Sequence, residues 1–181
     1  YTNSNNDGAS LTEAMRIDQS QRVLIGLTTA RDDFFNTANT YQPMFQAESI
    51  GNNDRFWSFV HNSNGNSAGH VIIGKAGGTS AGSSSGVTNA SELGHISFMG
   101  TDGSQMVEGA RITAGNSDGG SRGADDMPSL LQFFTTSDGA SSVTERMRIT
   151  NTGLVSVGRQ SSFGTATGTV VQTGSSSSLA N

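Results

Sequence analysis

The chain has 181 residues and a formal net charge of −5, with 33% of its residues hydrophobic, 14% charged, 24 glycines and no cysteine. The missing cysteines exclude a disulfide framework and a thiolate metal site, and the acidic balance without a basic cluster makes nucleic acid a poor partner. No apolar run approaches the roughly 18 residues of a membrane span. So little apolar material against a backbone ordering cost of roughly 1–2 kcal/mol per residue leaves two outcomes, disorder or burial shared between chains. The strand patterns below are too regular for disorder, so an obligate oligomer is expected.

No secretory signal pattern opens the sequence, and with Tyr1 at its head the chain is expected to be part of a longer polypeptide. Residues 1–10 are polar and turn-rich and read as a linker. Residues 11–26 form a first β-hairpin unit around Thr12-Glu13-Ala14-Met15-Arg16-Ile17, then Val23, Ile25 and Gly26. Its turn, Asp18-Gln19-Ser20-Gln21-Arg22, lacks glycine and is read as long. Residues 27–40 are a connector in which Arg31-Asp32-Asp33-Phe34-Phe35 fits either one helical turn or a strand edge.

Residues 41–142 read as a β-rich module with long polar loops. Candidate strands cover 44–49, 55–61, 70–75, 94–100, 105–114 and 130–136, each with a period of two or a β-branched run. The strand at 70–75, with Val71-Ile72-Ile73, is expected to be buried on at least one face. Loops are expected at 62–69, at 77–90 (a long loop or a loosely held excursion) and at 115–126. Asp102-Gly103 and Asp138-Gly139 sit between alternating runs and signal hairpin turns. Residues 143–158 are a second hairpin unit, and 159–181 a Gly/Ser/Thr-rich tail around Val170-Val171.

The two hairpin units are copies. Thr144-Glu145-Arg146-Met147-Arg148-Ile149 repeats the first at a constant offset (145 − 13 = 132), and Val155, Val157 and Gly158 answer Val23, Ile25 and Gly26. In the second copy Glu145, Met147 and Ile149 are expected on one face and Arg146, Arg148 and Thr150 on the other. Asn151-Thr152-Gly153 makes the turn, with glycine supplying the positive φ. The first turn, without glycine, is expected to differ in geometry. The fold class is therefore all-β, with short antiparallel strands and hairpins. A β-sandwich-like module is flanked by fibrous β-prism hairpins.

No catalytic, cofactor-binding or metal site is assigned. His61, His70 and His95 lack metal-ligand spacing and read as ordinary strand histidines. Asp102, Asp118 and Asp138 precede glycine, so turn chemistry is preferred over calcium, as for the adjacent Asp125-Asp126. Glu13 with Arg16 and Glu145 with Arg148 recur, which argues against catalysis and for interchain ion pairs. Gly74-Lys75-Ala76-Gly77-Gly78-Thr79-Ser80 lacks the phosphate-loop order. Asn89-Ala90-Ser91 is a glycosylation sequon by pattern only. Trp57, Tyr41 and Phe34-Phe35 could stack on sugars, but an aromatic core is preferred. The three loops are the better receptor candidates.

Residues 144–158 closely resemble a segment common in bacteriophage tail-fibre and related virion proteins, where it often lies between β modules or ahead of a self-cleaving trimerisation chaperone. Gly94-His95-Ile96-Ser97-Phe98-Met99-Gly100-Thr101-Asp102-Gly103, Val107-Glu108-Gly109-Ala110-Arg111-Ile112 and Leu131-Gln132-Phe133-Phe134-Thr135-Thr136-Ser137-Asp138-Gly139-Ala140 resemble the preceding module. The resemblance implies an intertwined homotrimeric fibre on a virion, partnered by other fibre proteins and used to attach to a host-surface glycan or protein. It assigns no self-cleavage to these residues. Three chains about an axis would bury Met147, Ile149, Val155 and Val157, with Met15, Ile17, Val23 and Ile25, at roughly 1.5–3 kcal/mol for each fully buried side chain. The alternative is that these residues fill the core of a monomeric sandwich. Alternative functions are a capsid-decorating fibre, an exported bacterial filament or adhesin, and a fibre-borne polysaccharide depolymerase.

Overall fold

In a computed structural model, residues 13–35, 42–50, 58–116 and 122–158 are described, together with the backbone of a strand at Thr169–Val171. The linker expected at 1–10, most of the tail, Tyr41, Trp57, Asp118 and part of the loop at 115–126 lie outside the described residues.

Every named element is a β-strand, and among the described residues there is no helix. In chain order they are β1 (Met15–Ile17), β2 (Val23–Ile25), β3 (Phe45–Ala47), β4 (Glu92–Thr101), β5 (Met106–Asn116), β6 (Ser129–Thr136), β7 (Val143–Ile149), β8 (Val155–Val157) and β9 (Thr169–Val171). They form a three-stranded sheet, β1-β2-β3, and a six-stranded meander, β4-β5-β6-β7-β8-β9. The chain divides into two units, Tyr1–Val71 with Gly103–Met106, and Ile72–Asp102 with Val107–Asn181.

In the first unit β1 and β2 are antiparallel, but β3 joins β2 in parallel, pairing Val23 with Phe45 and Ile25 with Ala47. Only antiparallel pairs were expected. A parallel partner needs a crossover of a dozen or more residues, and residues 26–44 supply 19 (44 − 25). Within that crossover Phe34 bridges Met106, and the Met106 N–H donates to the Asp33 carbonyl at 2.8 Å. Residues 31–35 thus take the strand-edge form and not the helical turn.

In the six-stranded sheet the two Asp-Gly signals fall in the connections predicted. Gly103, at φ 101°, lies between β4 and β5, and Gly139, at φ 75°, between β6 and β7. The Ala140 N–H closes the second turn on the Ser137 carbonyl at 3.0 Å. The loop at 77–90 is tied down: Gly77 bridges Ser85, and the Arg122 guanidinium donates to the Val87 carbonyl at 2.6 Å.

Two strand predictions fail. Ser58 to His61, the described part of 55–61, forms no ladder, and neither do residues 70–75. Val71, Ile72 and Ile73 are exposed, Ile72 at 89%. A β-branched run favours the pleated conformation only where a neighbouring strand completes it, and among the described residues none lies there.

Candidate assembly interface

The two copies of the hairpin superpose residue for residue in their hydrogen bonding. Met15 pairs with Ile25 as Met147 pairs with Val157, and Ile17 pairs with Val23 as Ile149 with Val155. The turns have equal length, 18–22 and 150–154. The Asp18 N–H donates to the Arg22 carbonyl at 3.0 Å, and Thr150 N–H to Leu154 at 2.9 Å. The expectation of a longer first turn with different geometry is therefore wrong. Gln21 takes φ 63° where Gly153 takes φ 82°. The Asp18 carboxylate accepts from the Arg22 N–H at 3.0 Å, as the Thr150 hydroxyl accepts from Leu154 at 3.1 Å. An Asp or Thr side chain that stands in for a backbone acceptor closes either turn. The Arg22 side chain, and then its N–H, holds the Asp18 carboxyl below the usual carboxylate range.

Glu145 is not on the face predicted. Phe133 pairs with Met147 but Phe134 with Glu145, so Arg146 is an extra residue in β7. This bulge turns Glu145 onto the face of Arg148. There Arg148 grips it with both branches, at 2.6 and 2.7 Å, and Gln132 donates to it at 2.5 Å. Glu13 and Arg16 repeat the two-branched pair. Both ion pairs close within one chain, which corrects the interchain reading. Glu145 is buried, and such a carboxylate is locked into structure by its partners.

The bulge sorts the second sheet into two unlike faces. Arg111, Thr113, Gln132, Phe134, Glu145, Arg148 and Ser156 share one, with the Arg111 guanidinium 4.8 Å from the Phe134 ring centroid. Ile112, Leu131, Phe133, Met147, Ile149, Val155 and Val157 share the other. The polar face is the buried one: Thr113, Glu145 and Ser156 are inside, while Leu131 and Val157 are exposed. In the first sheet Leu24 is fully buried, opposite Gln46, whereas Met15, Ile17, Ile25 and Phe45 point outward, Ile17 at 69% exposure. Among the described residues the buried apolar side chains are Leu24 and Val87, against Gln46, Ser91, Glu108, Thr113, Asn116, Glu145 and Ser156 on the polar side. Soluble chains place these types the other way round. Apart from Leu24, the apolar residues of the hairpins are half-buried or exposed within one chain.

The remaining candidates do not converge. His95 lies in β4, 3.8 Å from Glu92. His61 and His70 are exposed and outside any strand, which corrects their reading as strand histidines. Asp102 and Asp138 sit in the connections between strands, and Asp125 and Asp126 lie in the exposed stretch after Arg122. Among the described residues no three of His, Asp and Glu come together as metal ligands. Within residues 74–80 Gly77 bridges Ser85 and no helix follows, so they offer no N-terminal phosphate cradle. Ser91 of the sequon is buried, with its N–H on the Asn116 side-chain oxygen at 2.7 Å. Phe34 and Phe35 are half-buried. Of the loops, 62–69 is exposed throughout. The exposed run at 71–73 was missed as a surface. Its lack of charge was the available signal.

The chain shares its fold with the carboxy-terminal domain of the L-shaped tail fibre of bacteriophage T5. The TM-score is 0.59 at 14% identity, over 93% of this chain and 68% of that one. No family model matches the sequence, and no curated relative does.

Proposed function

We propose that this chain is a structural, non-enzymatic part of a trimeric bacteriophage tail fibre, carried on the virion and contributing to attachment at the host surface. One observation carries the reading: the chain buries polar side chains and exposes Met15, Ile17, Ile25 and Phe45 on one sheet and Leu131 and Val157 on the other. Contiguous exposed apolar surface on a β protein marks an interaction site. Covering it with copies of the same face fits the low apolar content of the chain and its lack of disulfides. The fold it shares with a tail-fibre domain supports the same reading. The mechanism is mechanical: hairpins locked by Glu–Arg pairs pack their apolar faces around an axis, and the exposed loop at 62–69 is offered to other fibre proteins or a host glycan or protein.

Light scattering on the native particle tests this. A mass of three chains that resists warm detergent is expected. A single-chain mass overturns the reading, and release of oligosaccharide from host capsule overturns the non-enzymatic part of it.

A further inference from the structure

Residues 58–61 (Ser-Phe-Val-His) and 68–73 (Ala-Gly-His-Val-Ile-Ile) run without bend, turn or helix, joined by a polar loop whose tip is closed by the Gly65 N–H on the Ser63 hydroxyl at 3.0 Å. The two segments approach closely at one point, where a Cβ on Gly69 would stand 3.4 Å from the His61 Cβ. Beyond it they leave an open groove of about 800 Å³ lined by 58–61 and 68–71. No hydrogen bond among the described residues reaches Val60, His61, His70, Val71, Ile72 or Ile73. Phe59, Val60, Val71, Ile72 and Ile73 are all exposed.

We infer that residues 58–61 and 68–73, which form no ladder within one chain, pair as β-strands with a second copy of this chain in the assembly. At Val60, His61 and residues 70–73, an exposed stretch outside any hydrogen bond, with high β-propensity and no proline, is a template for another strand. Such edges are normally blunted by charge, yet residues 58–73 contain no Asp, Glu, Lys or Arg. Nothing in them repels an identical segment, and apolar side chains on successive residues, as in Val71-Ile72-Ile73, suit a strand covered on both faces. The same inversion of apolar and polar exposure on the two sheets makes a second copy the fitting occupant. The inference rests on the multichain reading above and assigns it a segment.

Two measurements on the full chain test it. A benzophenone amino acid is placed at Val60 or at Ile72, with Asp138 in an exposed turn as control. Irradiation of the assembled particle is expected to give bands of two or three chain masses on denaturing gels from positions 60 and 72, and single chains from 138. Amide exchange on the unsubstituted particle is expected to protect Val71, Ile72 and Ile73 as strongly as Ile112 in β5. Light scattering on the same sample separates the failures. Three chains with only single-chain bands and fast exchange at 71–73 overturn this inference and leave the fibre reading standing. A single-chain mass overturns both.

Discussion

Gln21 and Gly153 occupy the same place in two turns that are identical in length and hydrogen bonding, at φ 63° and φ 82°. A side chain in that left-handed conformation costs roughly 1–2 kcal/mol, and glycine avoids the cost. Gln21→Gly is therefore expected to stabilise by up to about 1 kcal/mol, after the greater flexibility of unfolded glycine is counted. Gly153→Gln is expected to destabilise by about as much. Denaturant midpoints of the two variants check the pair; shifts of the same sign would show that the turns are not equivalent.

Glu145 is more deeply buried than its counterpart Glu13, and Arg148 more than Arg16. Removing one partner of a buried pair strands a charge and costs about 3 kcal/mol or more, whereas a part-buried pair with more access to water loses less. Glu145→Ala is expected to lower stability by about 3 kcal/mol and Glu13→Ala by a smaller amount. Equal losses in equilibrium unfolding would contradict the difference in burial.

Asp18 adds an acid dependence confined to the first hairpin. Its carboxyl pKa is lowered in the fold by Arg22, so its contribution is complete above the unfolded value of about 4 and is lost as pH falls through the folded value. Thermal midpoints of the native protein and Asp18→Asn are expected to differ at neutral pH and to converge in acid. A gap that stays constant from neutral to acid pH would remove Asp18 as the cause.

Leu24 and Ile17 sit on opposite faces of one hairpin, one fully buried and the other mostly exposed. Leu24→Ala opens a cavity inside a chain and is expected to cost about 2–5 kcal/mol. Ile17→Lys is expected to leave the chain's own sheet intact and to shift the particle toward single chains in sedimentation. If Ile17→Lys assembles like the native protein, the outward face is not the interface.

The two hairpins were legible because alternation and the 132-residue offset are local properties of the chain. The strands at 94–100, 105–114 and 130–136 were legible for the same reason, since Asp-Gly turns set their register. The length and register of the first turn were obscured by its missing glycine, because Asp18 replaces a backbone acceptor with a side chain. The position of Glu145 was not readable at all. A bulge depends on which strand lies opposite, and a period of two carries no information about the partner.

Alternation and turn residues determined that this chain is all-β, and composition that it has no cysteine and is short of the apolar residues that a self-sufficient core requires. Only the tertiary structure decided which residues are left outside. It paired Arg148 with Glu145 across a bulge, closed both ion pairs within one chain and set β3 parallel to β2. It also turned Met15, Ile17 and Ile25 outward and left residues 70–75 without a ladder. The physical reason is that polarity is a property of each residue, while burial is a relation between strands far apart in the chain.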